Sequence, residues 1–315
     1  MELIEDEKSK NHNLLARDLE KILLNGHSKN LLASNTLHRN YPEVPKDKET
    51  GLPLIDIKIF DLTWDFVILD KENLKVLQRV TLENRKKEIL EAYGLHPKSK
   101  LLFCGPPGCG KTLTAKVVSG VLGIPLIYVN LAAVFSSYLG ETATNLKKIF
   151  DYVDKGEWVV LFDEFDAIAR ERNNSNEHGE VKRLVNSLLQ LMDTSNSNSL
   201  FIAATNHESL LDNAIWRRFD EILFFDRPDI ELRKSLVKQY LSAIRHTKIN
   251  IENIAAKLDS TTGADIERIC IDAIKTVILR GDHEVTDADL TVSIERYLQR
   301  KSIISISEKF KEVEN

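Results

Sequence analysis

Residues 105–112 read GPPGCGKT and match the pattern G-x-x-x-x-G-K-[ST] at every position. The apolar run at 101–104 predicts a buried strand before this segment, and residues 112–118 predict a helix after it. Such a strand–loop–helix arrangement points backbone N–H groups and the positive end of a helix at a polyphosphate. A Gly- and Pro-rich surface turn is the alternative, which the flanking strand and helix disfavour. The motif therefore predicts a phosphate-binding loop within an α/β fold.

Each residue type in this loop suits a part of the expected chemistry. The glycines let the backbone turn tightly and approach the phosphates, and Lys111 supplies a positive charge for the β- and γ-phosphates. The Thr112 hydroxyl is a candidate ligand for Mg²⁺. We expect the remaining residues of the segment to contact the nucleotide as well: Gly105, Pro106, Pro107, Gly108, Cys109, Gly110 and Leu113.

A second apolar run, residues 158–162, ends in the carboxylates Asp163 and Glu164. In a doubly wound sheet, the C-terminal end of a strand faces the ligand crevice. Asp163 suits Mg²⁺ and the bound nucleotide, and Glu164 suits a general base that aligns the attacking water. Taken alone, such an ending could be a solvated turn. Its position about fifty residues after the phosphate loop favours the catalytic interpretation.

Two further polar groups follow later strands and helices. The apolar run 200–205 ends at Asn206, which could fix the attacking water, although capping the next helix is an alternative role. Arg217 and Arg218 follow a helix-like segment at 209–216. They could be solvated, or they could reach the nucleotide of a neighbouring subunit and stabilise charge in the transition state.

The alternation of strands and helices predicts a parallel sheet covered on both faces, followed by a small all-α unit. The predicted strands lie near 100–104, 125–130, 158–162, 200–204 and 222–225. The predicted helices after residue 228 lie near 229–244, 253–258, 264–280 and 286–298, with no strand between them. Asp229 and Thr286 occupy expected N-cap positions, and Gly281 an expected C-cap position.

The N-terminal part of the chain has a different character. Residues 12–25 predict a short amphipathic helix, and 34–53 an irregular polar linker. Residues 55–59 predict a short strand, and a single long helix is expected from Lys71 to about Tyr93. We therefore expect four parts: an N-terminal helical extension and linker (1–60), an α/β domain (61–227), a small helical domain (228–300) and a charged tail (301–315).

Composition excludes several classes of function. The net charge of −5 and the dispersed basic residues disfavour a nucleic-acid or acidic-membrane partner. The N-terminus is acidic, unlike a signal peptide, and no apolar run approaches the roughly 18 residues that span a bilayer. The three cysteines have no metal-ligand spacing and are expected to be reduced thiols. These features predict a cytoplasmic protein.

The order of the motifs resembles the protein-remodelling branch of the AAA ATPases across about residues 60–300. The matching segments are GPPGCGKT (105–112), SSYLGET (136–142), VVLFDEFDAIARER (159–172), HGEVKRLVNSLLQLMD (178–193), IAATNHESLLDNAIWRRFDEI (202–222) and TTGADIERIC (261–270). The resemblance implies a P-loop NTPase sandwich with a small helical lid. It also implies hydrolysis of ATP with Mg²⁺ in a ring, usually a hexamer, with nucleotide at the subunit interfaces.

The resemblance also implies roles for individual residues. Glu164 corresponds to the catalytic glutamate, Asn206 to the first sensor, and Arg217 and Arg218 to fingers that act on a neighbouring subunit. Gly263 and Ala264 occupy the lid position that contacts adenosine. Glu180 and Arg183 fall where the family makes contacts between subunits, and contacts of Val67 and Ile68 with adenine are a weaker expectation.

Tyr138 and Leu139 match the pore loop of that family, which grips an extended polypeptide. From the residues alone, an aromatic of the core or of a hairpin is the favoured interpretation of Tyr138. The resemblance favours a polypeptide substrate that is threaded or tugged. The overall layout is also similar to compact bacterial AAA proteins encoded beside a subtilisin-like protease, which would make a protease a partner.

The sequence therefore predicts a ring-forming ATPase that remodels or unfolds proteins. The alternative is a nucleotide-gated assembly switch that presents its N-terminal segment to a partner. The 34–53 linker motivates it, since it is too polar to pack yet contains Leu37, Tyr41 and Val44. A nucleic-acid motor is a third candidate, which the charge balance disfavours.

Overall fold

The computed structural model describes residues 41–135, 139–166, 178–195, 197–208, 211, 213–242, 244–246 and 249–313. The helix predicted at 12–25, the first part of the predicted linker (34–40) and Tyr138 lie outside these residues. From Pro42 onward the chain forms one compact unit.

The apolar runs of the sequence fold into one sheet with the order β1-β3-β4-β5-β2-β6. The strands are β1 (Ile55–Lys58), β2 (Lys100–Cys104), β3 (Leu126–Val129), β4 (Val159–Phe162), β5 (Leu200–Thr205) and β6 (Glu221–Phe224). Strands β2 to β6 pair in parallel, as predicted, and β1 adds an antiparallel edge beside β3. The C-terminal ends of the central strands β4, β5 and β2 therefore lie next to one another.

Helices connect these strands, and the chain after β6 is mainly helical. They are α1 (Lys71–Arg85), α2 (Lys87–Ala92), α3 (Lys111–Leu122), α4 (Leu131–Phe135), α5 (Leu139–Val153), α6 (His178–Thr194), α7 (Asn213–Trp216), α8 (Ile230–Leu241), α9 (Ile251–Lys257), α10 (Gly263–Leu279) and α11 (Asp287–Val313). The predicted caps are confirmed. Asp229 accepts from the Leu232 N–H, Asp289 N–H donates to the Thr286 hydroxyl, and Gly281 has φ +83°. None of the described helices combines the length and apolar character needed to cross a membrane.

Apolar side chains pack on both faces of the sheet and, separately, among the C-terminal helices. Leu101, Leu161 and Ile202 of the sheet are fully buried and belong to one core with Leu77 of α1 and Val118 of α3. On the other sheet face, the Phe150 ring of α5 stacks on the rings of Phe162 and Phe201. The second core lies among α8 to α11 and includes Val237, Ile269, Val277 and Leu290. Burial on both faces explains why the strand sequences are continuously apolar.

Three expectations about secondary structure are wrong in detail. The long helix expected from Lys71 to Tyr93 is interrupted at Lys86, whose φ of −110° and ψ of 23° are not helical. Two short strands, β7 (Arg245–His246) and β8 (Glu284–Val285), pair between the C-terminal helices. Helix α11, which was expected to end near residue 298, runs to Val313, since no Gly or Pro interrupts this segment.

The part of the predicted linker that follows Tyr41 packs against α5. Asp47 is only 2% exposed, and its carboxylate accepts a 2.6 Å hydrogen bond from the Asn145 amide. The Tyr152 hydroxyl donates to the Pro42 carbonyl at 3.1 Å. The expectation that this segment is too polar to pack is therefore wrong for residues 42–53, because hydrogen bonds satisfy its buried polar groups.

Candidate nucleotide-binding site

The phosphate loop requires glycine at specific positions because its backbone passes very close to its neighbours. Gly105 has φ +127°, and a Cβ there would lie 2.2 Å from the Phe225 carbonyl oxygen. Gly108 has φ +78°, and a Cβ there would lie 2.8 Å from Thr262 Oγ1. These are backbone conformations that side chains disfavour. Helix α3 begins immediately after the loop, so its free N–H groups face the same space.

Lys111 is buried beneath the loop. Its Nζ donates to the Gly105 carbonyl at 2.6 Å and to the Pro106 carbonyl at 2.9 Å. Burial lowers the pKa of the Lys111 ammonium because it penalises the charged form. A phosphate group beside Nζ would offset that penalty.

Thr112 and Asp163, which are far apart in sequence, meet at this site. The Thr112 hydroxyl donates to Asp163 Oδ2 at 2.7 Å. A hydroxyl and a carboxylate oxygen are the hard oxygen ligands that Mg²⁺ prefers. The residues present therefore fit a magnesium ion between this pair and a phosphate.

Glu164 has an unusual backbone at the end of β4. Its φ of +52° places it in the left-handed region, which is uncommon for residues other than glycine and recurs at active sites. Its N–H donates to Asp163 Oδ1 at 3.0 Å. The Glu164 side chain is exposed and lines the cavity beside the loop.

Asn206 lies at the end of β5, between the strand that carries Asp163 and the strand that leads into the loop. It also lines the cavity. Its backbone N–H donates to Asp166 Oδ1 at 3.1 Å. We did not assign a role to Asp166 from the sequence, although its place two residues after Glu164 could have suggested one.

The cavity has a volume of about 700 Å³, which lies within the usual range for small-molecule sites. Residues 107–113 line it together with Asp163, Glu164 and Asn206. Val67 and Ile68 line another part of it, as do Gly263 and Ala264 of the C-terminal helices. The cavity therefore brings together most of the residues predicted to bind nucleotide.

The phosphate loop contacts the start of α10 directly. The Ala264 N–H donates to the Gly108 carbonyl at 3.0 Å. Thr262 and Asp265 form a reciprocal capping box at the start of the same helix. A main-chain hydrogen bond therefore joins the phosphate loop to the helical part of the chain.

Arg217 and Arg218 lie near the N-terminal ends of the strands, whereas the phosphate loop lies at their C-terminal ends. The neighbouring Asp220 accepts from the N–H of Lys100, the first residue of β2. The loop follows the other end of that strand, about 17 Å away at 3.3 Å per residue. Neither arginine is therefore placed to act on the nucleotide site of its own subunit.

The two arginines differ in their partners. Arg218 forms an ion pair with Asp193, which also binds Lys100 Nζ at 2.7 Å. Burial disfavours the ionised form of Asp193, but the hydrogen bonds from Lys100 and Arg218 outweigh it and lower the pKa. Within the part of the chain that the structure describes, the Arg217 guanidinium has no hydrogen-bond or ion-pair partner.

The other predicted residues are described by their place in the chain. Leu139 is the first residue of α5, and Tyr138 before it lies outside the described residues. Glu180 and Arg183 lie on α6.

Replacing Gly108 by Ala is expected to weaken ATP binding by at least about 10-fold, because the new Cβ pushes the loop away from Thr262 and distorts the phosphate contacts. Gly123→Ala is the matched control. Gly123 has a similar φ of +72°, but its Cβ would meet nothing within 4 Å. The left-handed backbone makes each change cost about 1 kcal/mol of stability, and Gly108→Ala has the steric contact with Thr262 in addition. Titration with a fluorescent ATP analogue measures the affinities, and equal affinity in both variants would contradict the close-approach argument.

Comparison with known proteins gives a consistent result. Residues 101–227 match the model of the ATPase family associated with various cellular activities (AAA). The chain is similar to the uncharacterized AAA family ATPase y4kL of Sinorhizobium fredii, with 38% identity over 301 residues, which are 96% of this chain and 90% of y4kL. It is also similar to the proteasome-activating nucleotidase of Methanosphaerula palustris, with 35% identity over 251 residues. That match covers 76% of this chain but only 61% of the nucleotidase.

Proposed function

Because the chain belongs to the AAA family of ATPases and is an ATP hydrolase, we propose that it hydrolyses ATP between two copies of itself and uses the energy to remodel polypeptides. The hydrogen bond between Thr112 and Asp163 carries the catalytic part of this proposal. This bond joins the residue after the phosphate-loop lysine to the carboxylate that follows β4, and both residues line the cavity.

The residues around this pair have separate roles in the proposal. The loop N–H groups and Lys111 bind the phosphates, and Thr112 with Asp163 holds Mg²⁺. Mg²⁺, when bound, supplies positive charge for the β- and γ-phosphate oxygens. Glu164 accepts a hydrogen bond from the attacking water and orients it, and the Asn206 amide holds that water from the neighbouring strand.

The position of the arginines supports action between subunits. Because Arg217 and Arg218 lie beside the N-terminal end of β2, they can act on a nucleotide only when a second copy presents them to its site. Such a head-to-tail contact forms a ring when its rotation closes. We propose a hexameric ring in which Arg217 stabilises charge on the neighbour's nucleotide.

A polypeptide substrate is proposed from the segment that leads into α5. Tyr138 and Leu139 belong to the motif that resembles a pore loop, and an aromatic side chain can grip an extended chain regardless of its sequence. The relative from Methanosphaerula palustris is named a proteasome-activating nucleotidase, which supports a protein substrate and a partner protease. We also propose a cytoplasmic location, which the three free cysteines support.

The substrate proposal is tested with Tyr138→Ala and casein, an unstructured polypeptide, as the probe. We expect casein to stimulate the ATPase activity of the unchanged protein and not that of the variant, with each rate divided by its own basal rate. Tyr93→Ala is the matched control, because Tyr93 is 80% exposed and lies outside the motif. Undiminished stimulation in Tyr138→Ala would favour the assembly switch. The argument for that switch was an unpacked linker, and the packing of residues 42–53 against α5 weakens it.

A further inference from the structure

Asp166 is a buried carboxylate that faces the end of strand β5. Asp166 is only 3% exposed. Oδ1 accepts hydrogen bonds from the Thr205 hydroxyl at 3.2 Å and from the Asn206 N–H at 3.1 Å. Oδ2 lies 4.0 Å from Nε2 of His207, which is much more exposed. A single oxygen therefore holds both residues that end β5.

A main-chain hydrogen bond also joins the turn after β4, residues 163–166, to the end of β5. The Phe165 N–H donates to the Ala204 carbonyl at 2.8 Å. Glu164 and Asp166 flank this bond in the turn after β4, and Thr205 and Asn206 follow Ala204 where β5 ends. Beyond the paired part of β4 and β5, this main-chain bond and the Asp166 carboxylate hold the Glu164 and Asn206 backbones near each other.

We propose that Asp166 is a positioning residue that sets the place of Asn206 relative to Glu164. This inference rests on the proposed role of Asn206 in ATP hydrolysis. The Thr205 hydroxyl and the Asn206 N–H converge on Oδ1 of Asp166, and an amide oxygen at the same place can accept both bonds. The proposed role depends on where this oxygen lies.

Two substitutions separate position from charge. Asp166→Asn keeps an oxygen in place and removes the charge, so kcat should stay within about 3-fold of the unchanged protein. Asp166→Glu keeps the charge and moves the oxygens by one methylene, so kcat should fall about 10- to 100-fold with little change in KM. Steady-state ATPase kinetics measures both parameters.

A double-mutant cycle tests whether Asp166 acts through Asn206. We expect Asn206→Ala alone to lower kcat, and Asp166→Glu to change kcat by less than about 3-fold in that background. Asp47→Glu is the matched control, since Asp47 is also a buried carboxylate that accepts backbone N–H groups, and lies away from the cavity. It should leave kcat unchanged.

The outcomes distinguish the inference from the proposal beneath it. An active Asp166→Glu with an inactive Asp166→Asn would show that charge matters and would overturn the positioning role. Additive effects of Asp166→Glu and Asn206→Ala would do the same while leaving the role of Asn206 intact. An unchanged kcat in Asn206→Ala would refute the role of Asn206 itself, and the inference with it.

Discussion

Replacing Glu164 by Gln is expected to lower kcat for ATP hydrolysis by roughly 10²- to 10⁴-fold, the usual contribution of a general base. The amide keeps the size of the side chain but cannot accept a proton from water at neutral pH. ATP affinity should be retained, because the phosphates are bound by the loop and by Lys111 and not by Glu164. Single-turnover hydrolysis and titration with a fluorescent ATP analogue measure the two quantities separately.

Glu157→Gln is the matched control for this prediction. Glu157 precedes the same strand at its other end, where it is paired with Lys87. Its replacement should leave both kcat and affinity unchanged. Normal turnover in Glu164→Gln would mean that the left-handed turn after β4 serves packing and that another group activates the water.

Replacing Arg217 by Ala should also abolish most turnover, by roughly 10³-fold if the side chain acts as an arginine finger. The informative experiment mixes this variant with Glu164→Gln, which is inactive for a different reason. If the finger acts on a neighbour, an Arg217→Ala subunit supplies an intact catalytic site and a Glu164→Gln subunit supplies an intact finger. Random mixing in equal amounts would then restore about a quarter of the interfaces in a ring.

Recovery of activity on mixing two inactive proteins has no explanation within a single subunit. Persistent inactivity, with subunit exchange shown by a labelled copy, would refute action between subunits. Arg79→Ala is the matched control, because Arg79 is an exposed arginine paired with Glu83 on α1. Arg79→Ala should be active by itself. In a mixture with Glu164→Gln, we expect activity only from the sites that Arg79→Ala subunits supply, with no gain on mixing.

The sequence predicts which residues meet at the cavity because local patterns place them. The phosphate loop, Asp163, Glu164 and Asn206 each follow an apolar strand, and parallel strands bring such ends to one edge. Family membership and the α/β sheet followed by helices are confirmed. The roles of the individual residues, and the domain limits, remain predictions for the experiments above.

What the sequence could not predict depends on contacts between distant segments. The pairing of Arg218 with Asp193 and the bond between Ala264 and Gly108 join residues with no common local pattern. The burial of Asp47 depends on Asn145, 98 residues later. The interruption at Lys86 carries neither Gly nor Pro, so helix propensity alone does not mark it.

In the part of the chain that the structure describes, the antiparallel strand β1 lies at the edge of the sheet, which has a consequence for the polypeptide substrate that we propose. An unpaired strand edge is a template onto which another polypeptide can add and from which aggregates can grow. This edge is only four residues long, and its exposed side chains Asp56 and Lys58 form an ion pair at 2.9 Å. Short, charged edges resist such addition. An extended substrate of the kind that we propose is therefore not expected to add to the sheet as an extra strand along β1.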